Sequence, residues 1–309
     1  MTDFLNYLIL GLTRGSMYAL IALGYTLVYG VLQLINFAHS EVFMFGAFGS
    51  FFVVHAIVGD GKGVPGWEVP LVLIAGVLSG AITGGLIAWV LERVAYRPLR
   101  KRGAPKLAFL ISAIGASFFL AQIAGKMFSR LTNVFPDFFG KNATVFSVGG
   151  ARVTVLELII IGSALLMMLF LDRLVSTTKL GRSIRATAED APTAALMGID
   201  IDKTISRTFV IGGLLGGAAG FLYGLSFSFV NTMGFLPGVK AFAAAVLGGI
   251  GNIRGAMLGG LLLGVVENLI APLPFIGLQW TDVVAFVVLV LILMFRPTGL
   301  LGERLGRAA

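Results

Sequence analysis

Long apolar runs occupy residues 4–28, 69–91, 107–125, 153–172, 205–230 and 279–295. Two more, 30–59 and 241–270, are interrupted near their middles. A helix that crosses the hydrocarbon core of a bilayer needs about 20 predominantly apolar residues. The pattern therefore predicts an all-α, polytopic integral membrane protein of about eight transmembrane segments, including discontinuous helices.

The polar stretches between the runs set the orientation. Residues 92–106 hold Arg93, Arg97, Arg100, Lys101, Arg102 and Lys106 against Glu92. Loops rich in Lys and Arg stay on the cytoplasmic side, so this stretch is expected inside. The stretch 173–204 opens with Arg173, Lys179, Arg182 and Arg185 and is expected inside two crossings later. The tail, with Arg296, Arg304 and Arg307, is expected there too. Residues 60–68 and 126–152 then lie outside, although Lys126, Arg130, Lys141 and Arg152 make the second mildly basic.

Counting crossings constrains the interrupted runs. The run 205–230 leads outward and 279–295 must lead inward, so 241–270 starts and ends on one side. At about 1.5 Å per residue it is too short for two full crossings, which predicts a dip into the membrane and back. The glycine-rich Leu247–Gly255 is its break. If the N-terminus is cytoplasmic, 30–59 is a second dip, broken at Gln33–Glu41; if external, 30–59 is an ordinary span. Paired broken segments resemble the inverted repeats of transporters. Gly260 falls on an ordinary helical stretch, so replacing it is expected to cost less than replacing Gly249 or Gly251.

Composition agrees. The chain of 309 residues is 57% hydrophobic and 12% charged, against about 25% charged for a soluble domain. Its net charge of +8 follows the loops between spans, so no nucleic acid is implied. With no cysteine there is no disulfide, thiolate nucleophile or cysteine metal site. Met1-Thr2-Asp3 lacks the basic region of a cleaved signal peptide, so the first run is expected to stay. The 42 glycines suit close helix packing in lipid.

Candidate sites follow from polar groups inside apolar surroundings. Asn36, His39, Ser40 and Glu41 either line a pathway at membrane depth, where polar groups must be paired or solvated, or form a solvated cytoplasmic loop. A metal or proton-relay role for His39 is disfavoured by the presence of only one other histidine, His55. Gly248, Gly249, Gly251 and Gly255 flank Asn252 and Arg254. No phosphate-binding motif ending in Gly-Lys-Ser/Thr is present, so this loop reads as a tight backbone turn, with Arg254 free to anchor it or to contact a partner. In 181–198, Asp190 is placed to cap a short helix, Pro192 falls in its first turn and Gly198 ends it. Leu196 and Met197 on that helix either rest on the bilayer or dock in a partner's groove. Arg14, Glu267, Asn268 and Asp282 sit within or beside apolar runs, as helix–helix glue or as part of a substrate path. No acid–base or nucleophile set for catalysis is visible.

Five stretches occur in order: Asn36-Phe-Ala-His-Ser-Glu41, Glu92-Arg-Val-Ala-Tyr-Arg-Pro98, Leu110-Ile-Ser-Ala-Ile-Gly115, Gly181-Arg-Ser-Ile-Arg-Ala-Thr-Ala-Glu-Asp190 and Ala244-Ala-Val-Leu-Gly-Gly-Ile-Gly251. With the tail Arg296-Pro-Thr-Gly-Leu-Leu301, they make the chain resemble, nearly end to end, the LivH-type permeases of branched-chain amino acid ABC importers. It departs from the family's Ser-Ile-Pro at Asn252-Ile-Arg254 and carries a proline-containing Asp190-Ala-Pro192.

The resemblance implies a type II ABC importer permease fold, one transmembrane domain over 1–309 with a cytoplasmic coupling segment at 174–204. It implies a multi-pass protein of the bacterial inner membrane. The partners would be a LivM-like second permease, two cytoplasmic ATPases and a periplasmic or surface substrate-binding protein. ATP and Mg would bind those ATPases, with no cofactor or metal in this chain. Arg185, Ala188, Glu189, Asp190, Leu196, Met197 and Gly198 would couple to the ATPase. Asn36, His39, Ser40, Glu41, Gly248, Gly249 and Gly251 are the pathway candidates. Alternating access for branched-chain or related neutral amino acids is the expected activity. The alternatives are an ion-coupled secondary carrier and a membrane-embedded enzyme.

Overall fold

In the computed structural model, residues 2–59, 67–128, 130–138, 144–148, 151–272, 280–296 and 298–302 are described. The first apolar run becomes α1, Thr2–Leu32. Residues 15–28 of α1 are buried on every side, as expected for a helix that is apolar all round, and α1 is the central post of the bundle. Around it stand α2 (His39–Val58), α3 (Val69–Leu91), α4 (Arg97–Lys101), α5 (Lys106–Met127), α6 (Val155–Thr177), α7 (Lys179–Glu189), α8 (Ala191–Leu196), α9 (Ile201–Ser226), α10 (Phe235–Gly248), α11 (Ile253–Ile270) and α12 (Thr281–Phe295). A five-residue π-helical turn, Glu92–Tyr96, joins α3 to α4. Seven of these segments are long and apolar enough to cross a membrane: α1, α2, α3 continued to Lys101, α5, α6, α9 and α11. The helices α10 and α12, with 14 and 15 residues, are shorter.

Small residues set the packing. On α1, Gly11 and Gly15 meet Gly260 and Gly264 of α11, and a methyl group at Gly15 would lie 2.8 Å from the Leu261 carbonyl oxygen. Two four-residue glycine spacings thus bring the backbones together where side chains would hold them apart. Gly260 is accordingly not an ordinary helical position. Its Cβ would run into the Ala19 backbone, so Gly260 is a close-packed position, although Gly249 and Gly251 carry the added constraint of a positive φ.

Two contacts fix the sides. The Arg152 amide donates to Asn6 Oδ1 at 3.2 Å, putting the start of α1 on the side of the 126–152 loop. The Tyr96 hydroxyl donates to Asn36 Oδ1 at 2.8 Å, putting the end of α1 beside the basic stretch 92–106. The start of α1 therefore lies at the end of the bundle opposite the basic stretch 92–106, and 30–59 is not a dip: its break is the loop 33–38, and α2 beyond it is a span-length helix of 20 residues. The second break falls where the glycines place it. The helices α10 and α11 form a hairpin around residues 249–252, with Gly249 at φ +109° and Gly251 at φ +94°. The hairpin is more than a dip, because α11 alone is long and apolar enough to cross a membrane, and its turn holds the residues beyond α12. Leu300 and Leu301 donate to the carbonyls of Leu247 and Gly248 at 2.8 and 2.9 Å.

At the end where α1 starts, the helical plan has one exception among the described residues, an antiparallel hairpin of β1 (Thr144–Val148) and β2 (Ala151–Thr154). It leads into a capping box: Thr154 Oγ1 accepts the Glu157 amide at 3.3 Å and Glu157 Oε2 accepts the Thr154 amide at 2.8 Å. This satisfies otherwise orphaned groups at the start of α6. An aromatic layer closes the same end, with Phe48 stacked on Phe128 at 4.9 Å and Phe135 and Phe229 beside them. Lys141, Arg304 and Arg307, which entered the charge argument, lie outside the described residues.

Candidate functional site

The first break is a buried polar knot. Asn36, His39, Ser40 and Glu41 are all at most 4% exposed, which overturns the solvated-loop alternative. Asn36 Oδ1 accepts from the Ala38 amide at 3.1 Å as well as from Tyr96. Glu41 Oε1 accepts from Ser117 of α5 at 3.0 Å and from Ser40 at 3.4 Å. The His39 ring packs edge-on to Tyr25 at 5.0 Å and lies against Gly24 and Gly216, where a Cβ would strike it or crowd it. Two buried atoms, His39 Nε2 and Glu41 Oε2, have no hydrogen-bond partner among the described residues. Leaving such atoms unpaired in an apolar interior is costly, so this knot is chemically the least satisfied part of the α1–α2 connection.

Gly248, Gly249 and Gly251 serve backbone geometry. Gly248 packs on the Gly255 backbone, and Gly249 lies against the backbone of Thr298 and Gly302. Asn252 caps α11 by accepting the Gly255 amide at 3.0 Å, while its side-chain nitrogen donates to the Leu301 carbonyl at 2.8 Å. Arg254 is engaged within the chain, donating to both Asp172 oxygens at 3.0 and 3.2 Å. Both breaks border one small cleft, lined by Tyr25, Tyr29, Ile35, Phe242, Ala245 and Ile250.

The segment 181–198 is built as its sequence foretells. Asp190 caps α8, accepting the Thr193 amide at 3.3 Å and the Thr193 hydroxyl. Those two bonds hold its carboxyl below the usual aspartate range. Pro192 sits in the first turn, and Gly198, at φ +84°, closes the helix. The amides of Gly198 and Ile199 return to Ala195 and Ala194 at 3.0 and 3.1 Å, a glycine C-cap. Ala194 faces inward while Leu196 and Met197 stand 88% and 79% exposed. Glu189 is exposed and Ala188 half-buried. Arg185 is occupied by the carbonyls of Val175 and Ser176 at the end of α6.

One residue escaped sequence reasoning. Lys240, 9% exposed, sits in α10 and pairs with Glu267 at 2.7 Å and Asp282 at 2.6 Å. Arg14 lies 3.9 Å from Glu267, and Asn268 Nδ2 donates back to the Gly264 carbonyl at 2.8 Å. Here Arg14, Lys240, Glu267 and Asp282 tie α1, α10, α11 and α12 together, the helix–helix alternative for Arg14, Glu267 and Asp282, whereas Asn268 bonds back along its own helix. The missed signal was a lone cation between Pro237-Gly238 and an apolar run. Among the described residues, no group of three His, Cys, Asp or Glu side chains is placed to hold a metal.

Span-length helices, an interior broken by polar and glycine-rich connections, and a capped helix presented from the loop between α6 and α9 define a polytopic membrane protein. The family model described as the branched-chain amino acid transport system permease component matches residues 7–293. The permease protein BraD of Pseudomonas aeruginosa is 44% identical, over 97% of this chain and 96% of its own. LivH of Salmonella typhimurium is 42% identical over the same shares. A LivM permease of Methanocaldococcus jannaschii is 27% identical over 76% of this chain and 71% of its own. The chain belongs to the branched-chain amino acid transport permease family, as a permease subunit of an ABC importer.

Proposed function

We propose that this chain moves branched-chain or related neutral amino acids across the bacterial inner membrane by alternating access, driven by ATP hydrolysis in partner subunits. Relatives named as high-affinity branched-chain amino acid permeases, 41–44% identical over nearly the whole chain, support the substrate class. The partners are a LivM-like permease, two cytoplasmic ATPases that bind ATP and Mg, and an external substrate-binding protein. The chain itself performs no covalent chemistry. Translocation runs past the cleft that both breaks border, with Asn36, His39, Ser40 and Glu41 and the Gly248–Gly251 turn as its nearby candidates.

The observation that carries the coupling part of this reading is α8. It is fixed at both ends by its own caps, and it holds out Leu196 and Met197 where an ATPase groove can bury them. Glu189, Asp190 and Gly198 shape that presentation, Ala188 lies half-buried beneath it, and Arg185 ties α7 to α6 from below. An apolar pair on a rigid short helix suits recognition by a groove.

The test is Leu196→Asp in the reconstituted importer. A charge in an apolar pocket removes about 2 kcal/mol of docking or more. Uptake should collapse, and stimulation of the ATPase by the loaded binding protein should be lost, while membrane insertion is unchanged. Normal uptake with normal stimulated hydrolysis would exclude α8 as the coupling element.

A further inference from the structure

The cytoplasmic end of α3 is not a plain helix end. Glu92–Tyr96 wind as a π turn, which accommodates an extra residue and re-aims the side chains around it. Glu92 is driven fully inside, at 0% exposure, and Tyr96 points at the break. On the core side, the Tyr96 hydroxyl donates to Asn36 at 2.8 Å. On the outer side, Arg100 Nη2 donates to Glu92 Oε1 at 3.0 Å and to Asp202 Oδ1 at 2.6 Å, with Arg100 Nε adding a bond of 3.0 Å to the same oxygen. Arg97 reaches the other Asp202 oxygen at 3.4 Å. Asp202 is in the first turn of α9, right after the Asp200 cap and a few residues after α8.

We propose that Glu92, Arg100 and Asp202 are positioning residues that carry displacement of the coupling helix to the α1–α2 break; this rests on the importer reading above. The path is continuous. Movement of α8 pulls the start of α9 through the short 197–200 link. Asp202 is held by Arg100, and Arg100 is held by a carboxylate that has no access to water. Separating a buried charge from its partner is far more costly than opening an exposed pair. Arg100 therefore stays with Glu92, and a shift of α9 is transmitted to the π turn instead of being absorbed at the surface. Tyr96, on the same turn, passes it to Asn36 and so to the neighbouring His39 and Glu41. Two helices that merely lie side by side would slide past one another under the same push.

The experiment uses the complete importer in proteoliposomes, with loaded binding protein outside and ATP inside. It compares wild type with Asp202→Asn, Asp202→Glu and Arg100→Lys. Asp202→Asn should lower uptake about tenfold, the scale of a lost coupling contact. The ATPase subunits should still co-purify and basal ATPase should stay at the wild-type level. Asp202→Glu keeps the charge and should recover most of the uptake, and Arg100→Lys, which loses the fork geometry, should fall between. Wild-type uptake in Asp202→Asn overturns the proposal. So does loss of co-purifying ATPases or of basal hydrolysis in that variant, which would make the network a folding or assembly staple. Failure of Asp202→Glu to recover uptake also overturns it. A wild-type importer with no ATP-driven uptake overturns the importer reading and this proposal with it, and is told apart by the wild-type sample alone.

Discussion

Two connections interrupt the bundle, and they are made in opposite ways. The α1–α2 connection relies on side chains: Asn36, Ser40 and Glu41 are held by Tyr96, Ser117 and nearby backbone groups, and the residues are buried. The α10–α11 connection relies on backbone: two glycines with positive φ, a capping Asn252, and the tail bonded to its carbonyls. The first links two span-length helices and leaves polar atoms without a partner among the described residues. The second follows a helix of 14 residues. Polar knots can rearrange by exchanging hydrogen bonds, whereas a glycine turn wedged against a neighbouring strand of backbone has one geometry. The contrast marks the first connection as the adaptable one and the second as the fixed one.

The contrast is sharpest at Gly249. Valine there must adopt a φ that L-residues avoid, and its Cβ would lie 2.5 Å from the Gly302 amide. Strain and overpacking together should cost about 3 kcal/mol or more. The thermal melting of the purified protein should drop strongly and uptake should fall with it. A Gly249→Val protein that melts like wild type would show that the tail does not clamp the turn.

A smaller effect is expected at Asn36. Asn36→Leu removes the acceptor of the Tyr96 hydroxyl and of the Ala38 amide, leaving both without it, at about 2 kcal/mol. Here uptake at matched expression should fall further than the melting point alone would account for, because the substitution also breaks the link to the π turn. Wild-type uptake would erase the proposed difference between an adaptable and a fixed connection.

Much of this arrangement was legible in the sequence because it depends on local rules. Hydropathy located the spans, and the glycines at 248–251 located the turn. Asp190, Pro192 and Gly198 marked both ends of α8, since caps are written in neighbouring residues. What stayed hidden depends on residues far apart. The placement of the start of α1 beside β2 is fixed by Asn6 meeting Arg152, and nothing in the first residues announced it. The burial of Asn36 and Glu41 requires Tyr96 and Ser117, which are 60 and 76 residues away. Gly260 reads as an ordinary helical residue until Ala19 is seen against it. Lys240 stood at the edge of an apolar run, and its partners Glu267 and Asp282 lie on other helices.

The proposed import of a neutral amino acid at the expense of ATP hydrolysed by partner subunits can be measured directly. The direct measurement is uptake of labelled leucine into proteoliposomes that contain this chain, its second permease and both ATPases, with the binding protein outside. Uptake should require both internal ATP and the binding protein and should ignore an imposed proton or sodium gradient. Uptake that follows the ion gradient and persists without ATP would contradict it.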